Sequence, residues 1–188
     1  MLLLQFFASR PAWLRFALAC YSAFMSTQPN CFAALAASKA SSLDVSMLFQ
    51  QLADRSVVLA RMQDEFLAQI IRHREARTGK PFRYTKRQQG LLGEFNNDAE
   101  KAMQDMKQLI SKMDDKSLLT SALSCEYQEY QMDENMVSSY RPEDRENAGD
   151  IINFRQETIR LIEQFIETSP YKGLVDAKWY GKKQKKTG

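Results

Sequence analysis

Between residues 42 and 78 the apolar positions Val45, Leu48, Leu52, Leu59, Met62, Phe66 and Ile70 recur at spacings of three, four or seven, the stripe of one helical face. The run stops at Thr78-Gly79-Lys80-Pro81, where glycine just past the last turn and proline two residues on end a helix, and Arg72, Arg74 and Arg77 sit where its dipole favours cations. This predicts a first helix of about 35 residues, roughly 50 Å at 1.5 Å per residue. Thr85 followed by Gln88 has the form of a capping box and opens a second helix. Its stripe is Leu92, Phe95, Ala99, Ala102, Met106, Leu109 and Met113, a heptad-like alternation of three and four, with Gly90 and Gly93 weakening the first turns.

Asp114-Asp115 breaks that pattern and offers caps for a third helix carrying Leu119, Leu123, Tyr127, Tyr130 and Val137. So short a joint predicts an antiparallel hairpin. Arg141-Pro142-Glu143-Asp144 reads as the opening of a fourth helix, with proline in the first turn and carboxylates at the positive dipole end. That helix carries Ile152, Ile159, Ile162 and Ile166 and stops at Ser169-Pro170. The expected fold is all-α: a four-helix up-down-up-down bundle with a long first helix, preceded by an N-terminal targeting segment (1–36), spanning 37–170, and followed by a basic aromatic tail (171–188). The excess length of the first helix also allows a coiled arm or dimerisation through it. With 7 Gly and 5 Pro in 188 residues there are too few turn-formers for a many-stranded β fold.

Charge changes the picture. The net charge of +3 conceals blocks of opposite sign. Residues 72–87 hold seven Lys/Arg against Glu75, residues 88–171 hold 8 basic and 17 acidic groups, and the tail 172–188 holds six lysines against Asp176. An acidic body with a basic elbow and a basic tail implies local rather than global contact with anions. The elbow cations are Arg72, Arg74, Arg77, Lys80, Arg83, Lys86 and Arg87, interleaved with Phe82 and Tyr84. In the tail, Lys178, Lys182, Lys183, Lys185 and Lys186 flank Trp179 and Tyr180, a mixture suited to nucleic acid or an anionic surface.

The first acidic residue is Asp44. Before it stand Arg10, Arg15, the apolar run from Phe16 to Phe24, and Ala34-Leu35-Ala36, which fits the small-x-small cleavage rule, so the segment reads as a secretory signal cut after Ala36. Three other readings fit the same residues: an uncleaved anchor, although Phe16 to Met25 falls short of the roughly 20 residues that span a bilayer; a mitochondrial-type presequence; and a true start at Met25, which makes the protein cytoplasmic. A periplasmic or secreted location is the leading expectation.

Candidate chemistry is sparse. One histidine, His73, and three cysteines exclude most triad and metal constellations, and the usual di-iron bundle site needs two Glu-x-x-His pairs. No metal and no cofactor is expected. Glu126, Glu129 and Asp133 share a helical face and read as a solvated acidic surface; Met103, Met106 and Met113 read as core filling; Cys125 reads as a buried, inert thiol; and His73 reads as solvent-facing within the elbow. Arg55 occupies a seam position between Leu52 and Leu59 where an apolar side chain is expected, which makes it a candidate anion contact or a structural pairing group. An inward arginine of this kind is similar to those of the all-helical chorismate mutases, and that resemblance implies an anionic substrate held between helices; their second arginine and lysine find no match at corresponding spacings. Tyr84-Thr85-Lys86-Arg87-Gln88 resembles, at two of three positions, the Leu-Thr-x-x-Gln signature of small periplasmic helical stress chaperones, which implies a dimeric cradle for unfolded clients. The residues as a whole point to a non-enzymatic protein that works by protein–protein contact, as an assembly subunit, adaptor or chaperone of a bacterial envelope or secretion apparatus. The alternatives are a small chorismate mutase-like enzyme and a cytosolic nucleic-acid-binding protein.

Overall fold

A computed structural model describes residues 31–86, 89–90 and 104–173. The described residues are helical and contain no strand. Four helices are bounded: α1 (Cys31–Lys39), α2 (Leu43–Thr78), α3 (Asp115–Val137) and α4 (Arg145–Thr168), with a 3-10 turn at Pro142–Asp144 before α4. Residues 104–110 are also helical, forming the end of the expected second helix. Most of that helix, with Leu92, Phe95, Ala99 and Ala102, lies outside the described residues, as do the targeting segment up to residue 30 and the tail cations Lys178 to Lys186. Among the described residues no helix is long and apolar enough to cross a membrane.

The expected glycine stop of α2 and aspartate cap of α3 are present, and Ser42 adds a cap that the stripe did not name. The Ser42 side chain accepts the Val45 N–H at the start of α2, and Gly79, at φ 63°, closes it by donating its N–H to the Glu75 carbonyl. Only glycine takes that left-handed turn without strain. Asp114 caps α3 by accepting the Ser117 N–H at 2.8 Å. The buried face of α2 feeds two apolar clusters. Val45, Leu48, Phe49 and Leu52 meet Ala33, Ala36, Ile110, Leu118, Leu119, Leu123, Ile159, Ile162 and Ile166 in the larger one. Farther along, Leu59 and Phe66 meet Ala148 and Ile151, with Val137 and Tyr140 packed alongside. The first half of α2 thus meets the second half of α4 and the reverse, so these helices run antiparallel, and α4 packs against both α2 and α3.

Two stripe positions differ from expectation. Leu109 is 57% exposed while Ile110 is 3% exposed, and Ile151 is buried where Ile152 was expected. A straight helix of 3.6 residues per turn drifts about 20° per heptad from a 3.5-residue repeat, so the inward position slips from Leu109 to Ile110 toward the end of that long stripe. Ile151 instead faces Leu59 and Phe66 in the smaller cluster, while Ile152 packs half-buried against the larger one.

The N-terminal part of the core comes from the segment expected to be removed. α1 folds back along α2, with Phe32 edge-on to Phe49 at 5.9 Å between ring centres, Ala33 and Ala36 fully buried, and the Ala37 carbonyl accepting the Ser46 hydroxyl at 2.7 Å. A cut after Ala36 falls inside this helix. A chain beginning at residue 37 loses the Phe32, Ala33 and Ala36 contacts and is expected to melt below one beginning at residue 31, by on the order of 3 kcal/mol in unfolding free energy. Denaturant titration of the two chains measures this directly.

Asp115 organises the foot of the fold. Its carboxylate accepts the Ser41 N–H and hydroxyl, both at 2.8 Å, the Ser42 N–H at 3.1 Å and the Tyr171 hydroxyl at 3.0 Å. Loss of water around the carboxylate works to raise its pKa, but the combined donors from Ser41, Tyr171 and Ser42 outweigh that and hold it below the ordinary carboxylate value. A depressed native pKa means that the unfolded chain binds the extra proton, so the stabilisation is present at neutral pH and disappears as pH falls below the ordinary carboxylate range. Asp115→Ala strands these donors and is expected to cost about 3 kcal/mol at pH 7. The gap between mutant and wild type, followed by thermal melts, narrows near pH 3.

Candidate functional site

The basic elbow is a built turn at the far end of α2. After Gly79 the chain reverses, the Glu75 carboxylate accepts the Phe82 N–H at 2.6 Å, and the Arg74 guanidinium lies 4.9 Å over the Phe82 ring. Phe82 in turn packs edge-on against Tyr84 at 5.0 Å. Arg72, Arg74, Arg77, Lys80, Arg83 and Lys86 are all exposed. Arg77 reaches Glu143 at 3.8 Å, while Arg72, Lys80, Arg83 and Lys86 make no ion pair among the described residues. Lys86 begins helical structure just past Thr85, whereas Arg87 and Gln88, the second half of the capping box, lie outside the described residues.

His73 anchors this elbow to the start of α4 and does not simply face solvent. Its Nδ1 lies 2.7 Å from the buried Asp144 carboxylate, which sits at the N-cap of α4 without capping it. The short loop after α3 delivers Asp144 to that place, so elbow and α4 are fixed to each other.

A second charged centre lies between α3 and α4, where the sequence predicted a solvated face. Arg155 on α4 is only 4% exposed and projects into the row formed by Glu126, Glu129 and Asp133 on α3. Its Nε donates to Asp133 at 2.5 Å, and its terminal nitrogens lie 3.2 Å from Glu129 and 3.5 Å from Glu126. The i, i+3, i+7 spacing that marked these acids as one face is the spacing that lets them share one buried cation. The row reads as unpaired because Arg155 belongs to another helix; the signal that marks Arg155 is its place inside the apolar stripe, three residues after Ile152 and four before Ile159.

Three carboxylates face one guanidinium, and the excess shows. Loss of water raises the pKa of Glu126, Glu129 and Asp133, opposed in each by Arg155. Burial also disfavours the Arg155 charge, yet the three acids together outweigh it and hold the guanidinium protonated. One Glu126 oxygen has no hydrogen-bond donor among the described residues.

Arg55 also turns to α4. Its Nε donates to the Thr158 hydroxyl at 2.9 Å, a terminal nitrogen donates to the Phe154 carbonyl at 3.1 Å, and the guanidinium stacks 4.1 Å over the Phe154 ring. Glu157 completes the set at 3.5 Å. Its donors are engaged by α4, the arrangement of a docking residue. Cys125 is solvent-accessible and unpaired, contrary to the buried thiol expected. Partial loss of water around the sulfur, with Glu126 and Glu129 beside it, raises its pKa, which makes it a poor nucleophile at neutral pH. Among the described residues no group of three or more His, Cys, Asp or Glu is arranged to hold a metal ion. No protein-family model, curated protein or solved structure matches the chain.

Removing Arg155 leaves three part-buried acids without the cation they share. Arg155→Met is expected to cost about 3–5 kcal/mol at pH 7. The sign of its pH dependence is opposite to that of Asp115. Raised native pKa values mean that the folded state binds the extra protons, so folding is relieved as pH falls and penalised as pH rises through the raised values. The Arg155→Met deficit is therefore expected to shrink between pH 7 and pH 4.5 in denaturant titrations.

Proposed function

We propose that this chain is a non-enzymatic four-helix up-down-up-down protein that acts by protein contact, with the basic elbow at the end of α2 as its docking surface for an acidic protein. The observation that carries this reading is the elbow itself: four exposed cations without ion pairs among the described residues, on a turn braced by Gly79, the Glu75–Phe82 hydrogen bond and the His73–Asp144 contact. A braced turn presents its charges with little ordering cost on binding, which favours specific recognition over diffuse attraction. The bundle arrangement is supported by the course of the chain. α2 ends at the elbow, and Ile110, at the end of the helical stretch 104–110, is back among the residues at its beginning.

Export is part of the proposal, with one adjustment. Because α1 contributes Phe32, Ala33 and Ala36 to the core, a leader compatible with this fold is cut before residue 31, not after Ala36. Such a protein fits an assembly subunit, adaptor or chaperone of a bacterial envelope or secretion apparatus.

The test uses three anionic probes of different class: a poly-glutamate peptide of about 20 residues, a single-stranded oligonucleotide and vesicles containing anionic phospholipid. The expected result is salt-dependent binding of the peptide, weakened at least tenfold by the triple variant Arg72→Glu/Lys80→Glu/Arg83→Glu with no change in melting temperature. Oligonucleotide binding that persists in the triple variant and vanishes on removal of residues 172–188 overturns the elbow reading in favour of nucleic-acid contact through the tail.

A further inference from the structure

The buried residues of α2 occupy one side of the helix, and the opposite side carries a second regular stripe. Asp44, Met47, Gln51, Asp54, Val58 and Arg61 are all exposed and follow one another at steps of three and four, the repeat of a coiled-coil seam. Two of the six are large and apolar yet open to solvent, Met47 at 54% and Val58 at 45%. Val57, also exposed, flanks them.

The steps run three, four, three, four, three, so they read the same from either end. When a second α2 is laid antiparallel across this face, with a two-fold axis beside the peptide joining Leu52 and Ala53, every seam residue meets a defined counterpart. Met47 faces Val58 of the second copy, Gln51 faces Asp54, and Asp44 faces Arg61. Apolar meets apolar at two places, an amide meets a carboxylate at two, and opposite charges meet at both ends. In a parallel pairing each position faces itself, which sets Asp44 on Asp44, Asp54 on Asp54 and Arg61 on Arg61. Like charges directly opposed disfavour that arrangement, so the charge pattern selects the antiparallel one. A face that mates with itself through a two-fold axis is the isologous surface of a symmetric dimer.

We propose that the exposed stripe of α2 is a homodimer interface, in which two copies pair antiparallel through Met47 and Val58 and are held in register by reciprocal Asp44–Arg61 ion pairs. The paired segment runs from residue 44 to residue 61, about 27 Å of helix. Its apolar content is small and its centre is polar, so the dimer belongs to the weak, reversible class. The central Asp54 carboxylates of the two copies lie within about one turn of each other, which costs affinity and fixes the register, as polar seam residues do.

The experiment is sedimentation velocity of the full chain from about 2 to 200 µM in low salt, with no other macromolecule present, so its result is independent of what the elbow binds. The wild type is expected to shift reversibly from monomer to dimer across this range. Arg61→Glu alone or Asp44→Lys alone opposes like charges at both ends and is expected to raise the dissociation constant at least tenfold. The double swap Asp44→Lys/Arg61→Glu restores the pairing with its signs exchanged and is expected to return the constant to within about threefold of wild type. That rescue separates loss of the interface from damage to the fold, and Asp54→Leu is expected to tighten the dimer. A wild type that stays monomeric overturns the proposal, as it would if residues 91–103 of the same chain cover this face. So does a dimer indifferent to the single swaps, or a double swap that fails to restore it.

Discussion

At the foot of the fold, three segments distant in sequence converge on the Asp115 carboxylate: the turn between α1 and α2 through Ser41 and Ser42, the first turn of α3, and Tyr171 beyond α4. The backbone N–H groups of a tight turn beside a core must be paired somewhere, and here the partner comes from another helix. That choice has consequences along the whole chain. It sets α1 back against α2, so that Phe32 reaches Phe49, and it fixes where α3 begins. Once the start of α3 is fixed, Glu126, Glu129 and Asp133 fall beside α4 at the level of Arg155.

These two charged centres pull stability in opposite directions with pH. Asp115 favours folding while ionised and loses its contribution in acid. The acids around Arg155 are held above their ordinary values, so they are costly when ionised and relieved by mild acid. The first centre resembles a capped helix terminus in its physics, a carboxylate saturated with donors. The second is a buried ion cluster with more negative than positive charge, an arrangement that fixes which faces of α3 and α4 meet more than it adds to net stability.

Local signals were well written in the sequence. The stop of α2 follows from Gly79, the start of α3 from Asp114, and the stop of α4 from Ser169, because each is decided within a few residues. The apolar stripes named most of the core for the same reason. Pairings between helices were not legible. Arg155 breaks the apolar stripe of α4 without naming the acids it meets, Asp115 looks like a spare cap beside Asp114, and His73 looks like one more member of a basic run until Asp144 arrives from seventy-one residues away. Arg55 was conspicuous because it broke an apolar stripe, and the stripe itself could not say that Thr158 and Phe154 receive it. The place of α1 was hidden by a different conflict, since a short run of small and apolar residues satisfies the rule for a leader and the rule for a core helix equally well.

The geometry of α2 constrains how its two outward features work together. In the proposed dimer the axis lies beside Leu52 and Ala53, while the turn of the elbow at Gly79 lies about 26 residues or roughly 40 Å along the helix. Antiparallel pairing sends the two elbows in opposite directions and leaves them about 80 Å apart. A small acidic protein therefore meets one elbow at a time, and dimerisation leaves its affinity unchanged. An extended or repeating acidic partner that spans this distance engages both, and gains avidity from a weak self-association that contributes no contact of its own. The same separation leaves both elbows open, because the seam from Asp44 to Arg61 ends well before Arg72.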